Sequence, residues 1–156
     1  MNTIRIISAA ESVTVTPSKI ICIGRNYVDH IHELANEIPD EMVVFFKPNS
    51  AISSNLKAQH LGDELHYEAE LSFLYQQGRF TAVAFGLDLT KRSVQTKLKA
   101  KGLPWERAKA FDGSALFSDF VHFEQESVEG AFSAHLTLSL SINDEEKQRG
   151  GVTLMM

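Results

Sequence analysis

Two glutamates stand one residue apart in His66-Tyr67-Glu68-Ala69-Glu70-Leu71-Ser72-Phe73-Leu74-Tyr75. A strand's period of two puts Glu68 and Glu70 on one face with His66 and Ser72, about 7 Å apart, close enough for one divalent cation to bridge them. The opposite face, Tyr67, Ala69, Leu71, Phe73 and Tyr75, reads as core. A solvated outer strand face produces the same alternation. Asp88 adds weight to the first reading. It interrupts the apolar run Ala82 to Leu89, and a buried strand seldom tolerates a carboxylate without a partner. If Asp88 faces Glu68 and Glu70 from a neighbouring strand, three carboxylates converge and repel unless a cation neutralises them. An all-oxygen set suits Mg²⁺, Mn²⁺ or Ca²⁺ and argues against zinc or copper. The alternative for Asp88 is a helix-start residue favoured by the helix dipole.

A second constellation lies in Gly24-Arg25-Asn26-Tyr27-Val28-Asp29-His30-Ile31-His32-Glu33. On a helix His30 and Glu33 share a face, so the carboxylate can fix the imidazole's tautomer and raise its basicity, as a general-base dyad requires. A surface i,i+3 pair is the alternative. His32 falls on another face and reads as an exposed polar residue. Cys22, within Ile20-Ile21-Cys22-Ile23, reads as a small core hydrophobe.

The elements that must position these residues are mainly strands. β-rich runs bounded by Gly, Pro, Asn or Ser cover Thr3–Ile7, Lys19–Ile23, Met42–Phe46, Tyr67–Tyr75, Thr81–Leu89 and His135–Ile142. Leu136 to Ile142, Asn143-Asp144 and Glu145 to Arg149 read as a strand, a turn and a return strand. A short helix is expected at Asp29–Ala35. Another is expected at Lys91–Lys101, with Thr90 as N-cap, Val94 and Leu98 on one face, lysines near its C-terminus, and Gly102 and Pro104 as its stop. Polar residues from Pro48 to Leu65 suggest a surface loop.

The 156 residues, 44% hydrophobic and 22% charged, suit a single globular domain able to bury a core. A net charge of -5 without clustered basic residues argues against nucleic acid as a partner. One cysteine excludes an internal disulfide. The first residues form neither a secretory signal nor a membrane span, so a cytoplasmic protein with no membrane partner is expected.

The blocks "KIICIGRNYVDHIHELANEIPDEMVVFFKPNSAI", "HYEAELSFLY", "GLDLTKRSVQTKLKAKGLPWERAKAFDGSALFS" and "LSLSINDEEKQRGG" resemble, in order, the fumarylacetoacetate hydrolase superfamily. The likeness is to its small acylpyruvate hydrolase and oxaloacetate decarboxylase branch. It implies a mainly β (α+β) fold, a mixed β-sandwich roll with short peripheral helices, with residues 1–156 forming one catalytic domain. It further implies Mg²⁺ or Mn²⁺ on Glu68, Glu70 and Asp88, and catalytic roles for His30, Glu33 and Lys109. Arg25, Arg92 and Gln95 would contact substrate. The activity implied is metal-dependent hydrolysis of a carbon–carbon bond in a 2,4-diketo acid such as an acylpyruvate or fumarylpyruvate. Alternatives are oxaloacetate decarboxylation or tautomerisation, and a non-catalytic remnant that binds a cation or partner. Family members usually continue through a Gly-Thr-Pro loop that this sequence lacks. The chain is therefore expected to be short at its C-terminus, with open strand edges that favour a homodimer.

Overall fold

The computed structural model describes residues 1–24, 26, 41–123 and 136–155. Arg25, His30, His32, Glu33 and the helix expected at Asp29–Ala35 lie outside the described residues. In chain order the strands are β1 (Ile4–Ile7), β2 (Ser12–Val15), β3 (Lys19–Gly24), β4 (Val43–Pro48), β5 (Gln59–His60) and β6 (Asp63–Glu64). They continue with β7 (His66–Gln76), β8 (Arg79–Thr90), β9 (Ala115–Phe117), β10 (Phe120–His122), β11 (Thr137–Ile142) and β12 (Glu145–Gly151). Two α-helices are described, α1 (Arg92–Ala100) and α2 (Glu106–Lys109). The chain is thus mainly β with short helices at its periphery, as expected.

The long antiparallel hairpin β7–β8 is the spine. Gln77 and Gly78 close it at φ of 50° and 81°, a left-handed turn that matches the twist of the two strands. On the far side of β8, β10 pairs at Ala82 and Val83 while β9 pairs at Gly86, Leu87 and Asp88. β10 runs parallel to β1, and β1 pairs antiparallel with β2. The result is a mixed six-stranded sheet in the order β2-β1-β10-β8-β7, with β9 also on β8. The pairs β3–β4, β5–β6 and β11–β12 form two-stranded antiparallel ribbons.

Both faces of β7 are covered. Ala69 is buried with Leu138, against Leu71, Phe85, Leu87, Leu140, Leu154 and Met155. On the other face Leu74 joins Ile4, Ile6, Ile52, Ala82, Ala84 and Phe120 in the larger core. This corrects the expectation that Tyr67, Ala69, Leu71, Phe73 and Tyr75 alone make the core face. Tyr67 and Tyr75 are exposed, whereas Leu74, on the carboxylates' side, is 8% exposed. Alternation tells which residues share a face, and cannot tell which face is wet when both are packed.

Two further expectations change. Ala51 and Ile52, inside the expected loop Pro48–Leu65, are buried, because a 3₁₀ turn at Asn49–Ala51 leads Ile52 into a bridge with Ala115. Thr90 is not the N-cap of α1: it closes β8, Lys91 occupies the cap position, and no side chain caps that end. The Thr90 hydroxyl instead accepts a hydrogen bond from Lys109 at 2.7 Å. No described helix is long and apolar enough to cross a membrane.

Candidate metal centre

The register of the spine places the acidic residues together. Glu68 lies directly opposite Asp88, and Glu70 opposite Gly86, so the strand periodicity that set Glu68 and Glu70 on one face brings Asp88 beside them. Asp88 is inside β8 rather than at a helix start. Gly86 leaves room here for Ser72, whose Oγ would stand 2.3 Å from a Cβ at that position and would have to rotate away.

The repulsion expected among three carboxylates is answered by ammonium groups from other elements. Lys109, at the end of α2 and 2% exposed, donates to Glu68 Oε2, Asp88 Oδ2 and Thr90 Oγ1, each at 2.7 Å. Its ammonium also lies 5.2 Å from the Phe45 ring centroid. Lys47 on β4, 1% exposed, stands 2.9 Å from Asp88 Oδ1 and donates to the carbonyls of Lys109 and Ser114. Arg92, in the first turn of α1, reaches Glu68 Oε1 at 2.5 Å and Gln95 Oε1 at 2.9 Å. The structure thus brings together Glu68, Glu70, Asp88, Arg92, Gln95 and Lys109 of the expected site. It adds Lys47, which the sequence reading missed although its signal, a charge directly after the apolar run Val43 to Phe46, is similar to that of Asp88.

Electrostatics divide the two glutamates. Burial works to raise the Glu68 carboxyl, but Lys109 and Arg92 overcome it and hold the group down at about 2. Burial, then the charges of Glu68 and Asp88, push Glu70 up to about 8. Burial lowers Lys47 despite Asp88, whereas Asp88 and Glu68 raise Lys109 despite its burial. The Cys22 thiol, also in the cavity wall, is pushed by burial up to about 12, which keeps it protonated and unreactive, as its apolar surroundings suggested.

Among the described residues no three ligating side chains are placed to hold an ion as they stand, because Lys109 Nζ sits between Glu68 and Asp88. The donor set nonetheless fits a hard divalent cation. Its ligands are all carboxylate oxygens. Asp88 Oδ1 is buried, and its one described partner is the Lys47 ammonium at 2.9 Å. Glu70 has no described hydrogen-bond or ion-pair partner and a raised carboxyl, the property of a group short of positive charge. The cluster opens into a cavity of about 850 Å³. Lys47, Arg92, Gln95 and Lys109 mark its polar end, and Ile20, Phe73, Leu74, Phe80 and Phe120 line its apolar remainder.

Residues 19–156 match the fumarylacetoacetate (FAA) hydrolase C-terminal family, and the chain belongs to that family. It is 36% identical over 147 residues to the oxaloacetate tautomerase YcgM of Escherichia coli (strain K12), covering 85% of this chain and 66% of that protein. It is 35% identical over 152 residues to the human mitochondrial oxaloacetate tautomerase FAHD1, covering 88% and 66%. The chain therefore spans just under two thirds of the length of these relatives. Among solved structures, a fumarylpyruvate hydrolase from Pseudomonas aeruginosa in complex with Mn²⁺ and pyruvate superposes with a TM-score of 0.80 at 26% identity, covering 98% of this chain and 72% of that one. A solved protein from Oleispira antarctica superposes with a TM-score of 0.83 at 32% identity, covering 97% and 73%.

Proposed function

We propose that the chain acts on oxaloacetate, interconverting its keto and enol forms with Mg²⁺ or Mn²⁺ on Glu68, Glu70 and Asp88. The relatives favour this alternative over carbon–carbon hydrolysis of an acylpyruvate. The observation that carries it is the charge of the site. Glu68, Glu70 and Asp88 when ionised balance Lys47, Arg92 and Lys109, so a bound divalent cation leaves two positive charges, which match a dicarboxylate. When bound, the cation supplies Lewis-acid polarisation of the 2-oxo group and so acidifies the neighbouring carbon.

The chain's own residues bind and orient. Arg92 and Gln95, on one face of α1 at the cavity's polar end, offer N–H donors to a substrate carboxylate. Lys109, held between two carboxylates, keeps its proton and offsets negative charge developing on the enolate oxygen. Proton exchange at the carbon is assigned to His30 and Glu33, the candidates suggested by the family resemblance. Tautomerisation needs no attacking water, which separates it from acylpyruvate hydrolysis, the second reading, favoured by the fumarylpyruvate hydrolase neighbour.

The test follows the ultraviolet absorbance of enol oxaloacetate with Mg²⁺ present, beside cleavage of acetylpyruvate. Faster ketonisation, lost in Glu70→Gln, is expected. Cleavage of acetylpyruvate without any acceleration of ketonisation would replace this reading by the hydrolytic one. A homodimer completes the proposal, supported by the outward face of β3–β4, where Ile21, Val44 and Phe46 are 46–58% exposed. Light scattering should give twice 17.4 kDa, and Phe46→Glu should give the monomer.

A further inference from the structure

We infer that Gln148 is a positioning residue for the acidic pair: its side-chain amide locks the backbone of Ala69, the residue between Glu68 and Glu70. This rests on the metal-site reading above. Among the described residues β7 is an edge strand, paired only with β8. Along such an edge alternate residues turn their N–H and C=O outward, where they need another partner or water. At Ala69 that partner is a side chain. The Ala69 N–H donates to Gln148 Oε1 at 2.9 Å, and Gln148 Nε2 donates to the Ala69 carbonyl at 2.7 Å. The carboxamide thus reproduces, for one residue, the two-bond pairing that a neighbouring strand would provide.

The register of β11–β12 shows how Gln148 is aimed. Leu140 pairs with Gln148, but Ser141 pairs with Glu146, so Lys147 falls between the paired positions in a bulge. Bulges re-aim the side chains beside them. Here the neighbouring side chain is half-buried in the cavity wall, while Glu145, Glu146 and Lys147 are exposed. The other anchor of the ribbon is apolar, through Leu138 and Leu140 around Ala69 and Leu71. Leu140 therefore provides a control for mere packing.

Two ligands on one strand keep their spacing only while the backbone between them stays extended. Outer residues that orient ligands typically change metal affinity by 10- to 100-fold when removed. Gln148→Met keeps the length of the side chain and removes both hydrogen bonds. We compare it with Leu140→Ala, which weakens the same ribbon without touching the Ala69 backbone, and with Gln148→Asn, which is one methylene too short to hold both groups. The readouts are Mn²⁺ affinity by calorimetry and hydrogen exchange at the Ala69 amide in the full chain.

About tenfold weaker Mn²⁺ binding and faster Ala69 exchange are expected for Gln148→Met, and a smaller change in the same direction for Gln148→Asn. Leu140→Ala should lower the melting temperature while leaving Mn²⁺ affinity near that of the wild type. Wild-type affinity in both Gln148 variants overturns the positioning role, as does equal weakening in Leu140→Ala. Failure of the wild-type chain to bind Mn²⁺ overturns instead the metal-site reading on which the role depends.

Discussion

The two ends of the β7–β8 hairpin share one backbone ladder and hold opposite interiors. Near the turn, Leu74, Ala82 and Ala84 meet Ile4, Ile6 and Phe120. At the open end the corresponding positions are Glu68, Glu70 and Asp88, and the groups that meet them are Lys47, Lys109 and Arg92. The apolar end is stable residue by residue, each side chain adding area removed from water. The charged end is stable only as a set, because each buried ion depends on its partners and removing one strands the others. The first can support the second because the paired strands between them transmit register.

Lys109→Met should break this comparison most severely. It leaves Glu68 and Asp88 facing each other without their shared ammonium, at a cost of about 3–5 kcal/mol. Leu74→Ala at the other end should cost about 2–5 kcal/mol through lost burial and a cavity. Urea unfolding with and without excess Mg²⁺ separates the two kinds of loss. Mg²⁺ should restore part of the stability of Lys109→Met and none of the deficit of Leu74→Ala. Equal responses would show that the charged end does not behave as a set. Lys109→Met with Glu68→Gln should be milder than Lys109→Met alone, since it removes one of the stranded charges while Asp88 keeps its pairing with the buried Lys47 and Arg92 is part-exposed to solvent.

The pH dependence sharpens the same contrast with a smaller effect. In the folded chain Glu70 keeps its proton up to about pH 8, whereas the ordinary value is 4.5. Between these values the folded state holds more protons than the unfolded state, so stability falls as pH rises from 4.5 to 8. Glu68, held at about 2, acts in the opposite sense, but its contribution is nearly complete about one pH unit above its ordinary value of 4.5 and changes little over the rest of this window. Without divalent metal, the loss should be on the order of 1 kcal/mol or more between pH 5 and 8. Glu70→Gln should flatten that slope, and Mg²⁺ should raise the urea midpoint more at pH 8 than at pH 5. A slope unchanged by Glu70→Gln would remove Glu70 as its source.

Much of the charged end was legible in the sequence because its signals conflict with their surroundings. Glu68 and Glu70 are legible from period two, and Asp88 from being a carboxylate in an apolar run. Lys109 was not legible from pattern: on a single helical turn it resembles any surface lysine, and only the family resemblance pointed to it. Lys47 carried a usable signal that went unread. Thr90 was misread because a threonine between strand and helix suits a cap equally well, and the choice was made by Lys109, remote in sequence. Gln148 was invisible, since its role depends on a bulge and on an edge strand elsewhere. The strands at Ser12–Val15, Ala115–Phe117 and Phe120–His122 were missed for a related reason. They are short, and pairing with long neighbours rather than local propensity makes them strands.

The smallest expected effect lies at the turn itself. Gln77 adopts φ of 50° and Gly78 φ of 81°, so the turn needs two left-handed residues and has one that accepts the conformation freely. Gln carries a Cβ penalty there, which Asn reduces by bonding locally to the backbone. Gln77→Asn should therefore stabilise the chain by a few tenths of a kcal/mol, on the order of the usual gain when a turn residue is matched to its conformation. Because the turn adjoins the apolar end, the charged end should not respond: Mn²⁺ affinity should stay at the wild-type value while the urea midpoint rises slightly. A fall in the midpoint would mean that the Gln77 side chain contributes contacts beyond the turn. A rise accompanied by tighter Mn²⁺ binding would mean that the ladder transmits rigidity as well as register from one end of the hairpin to the other.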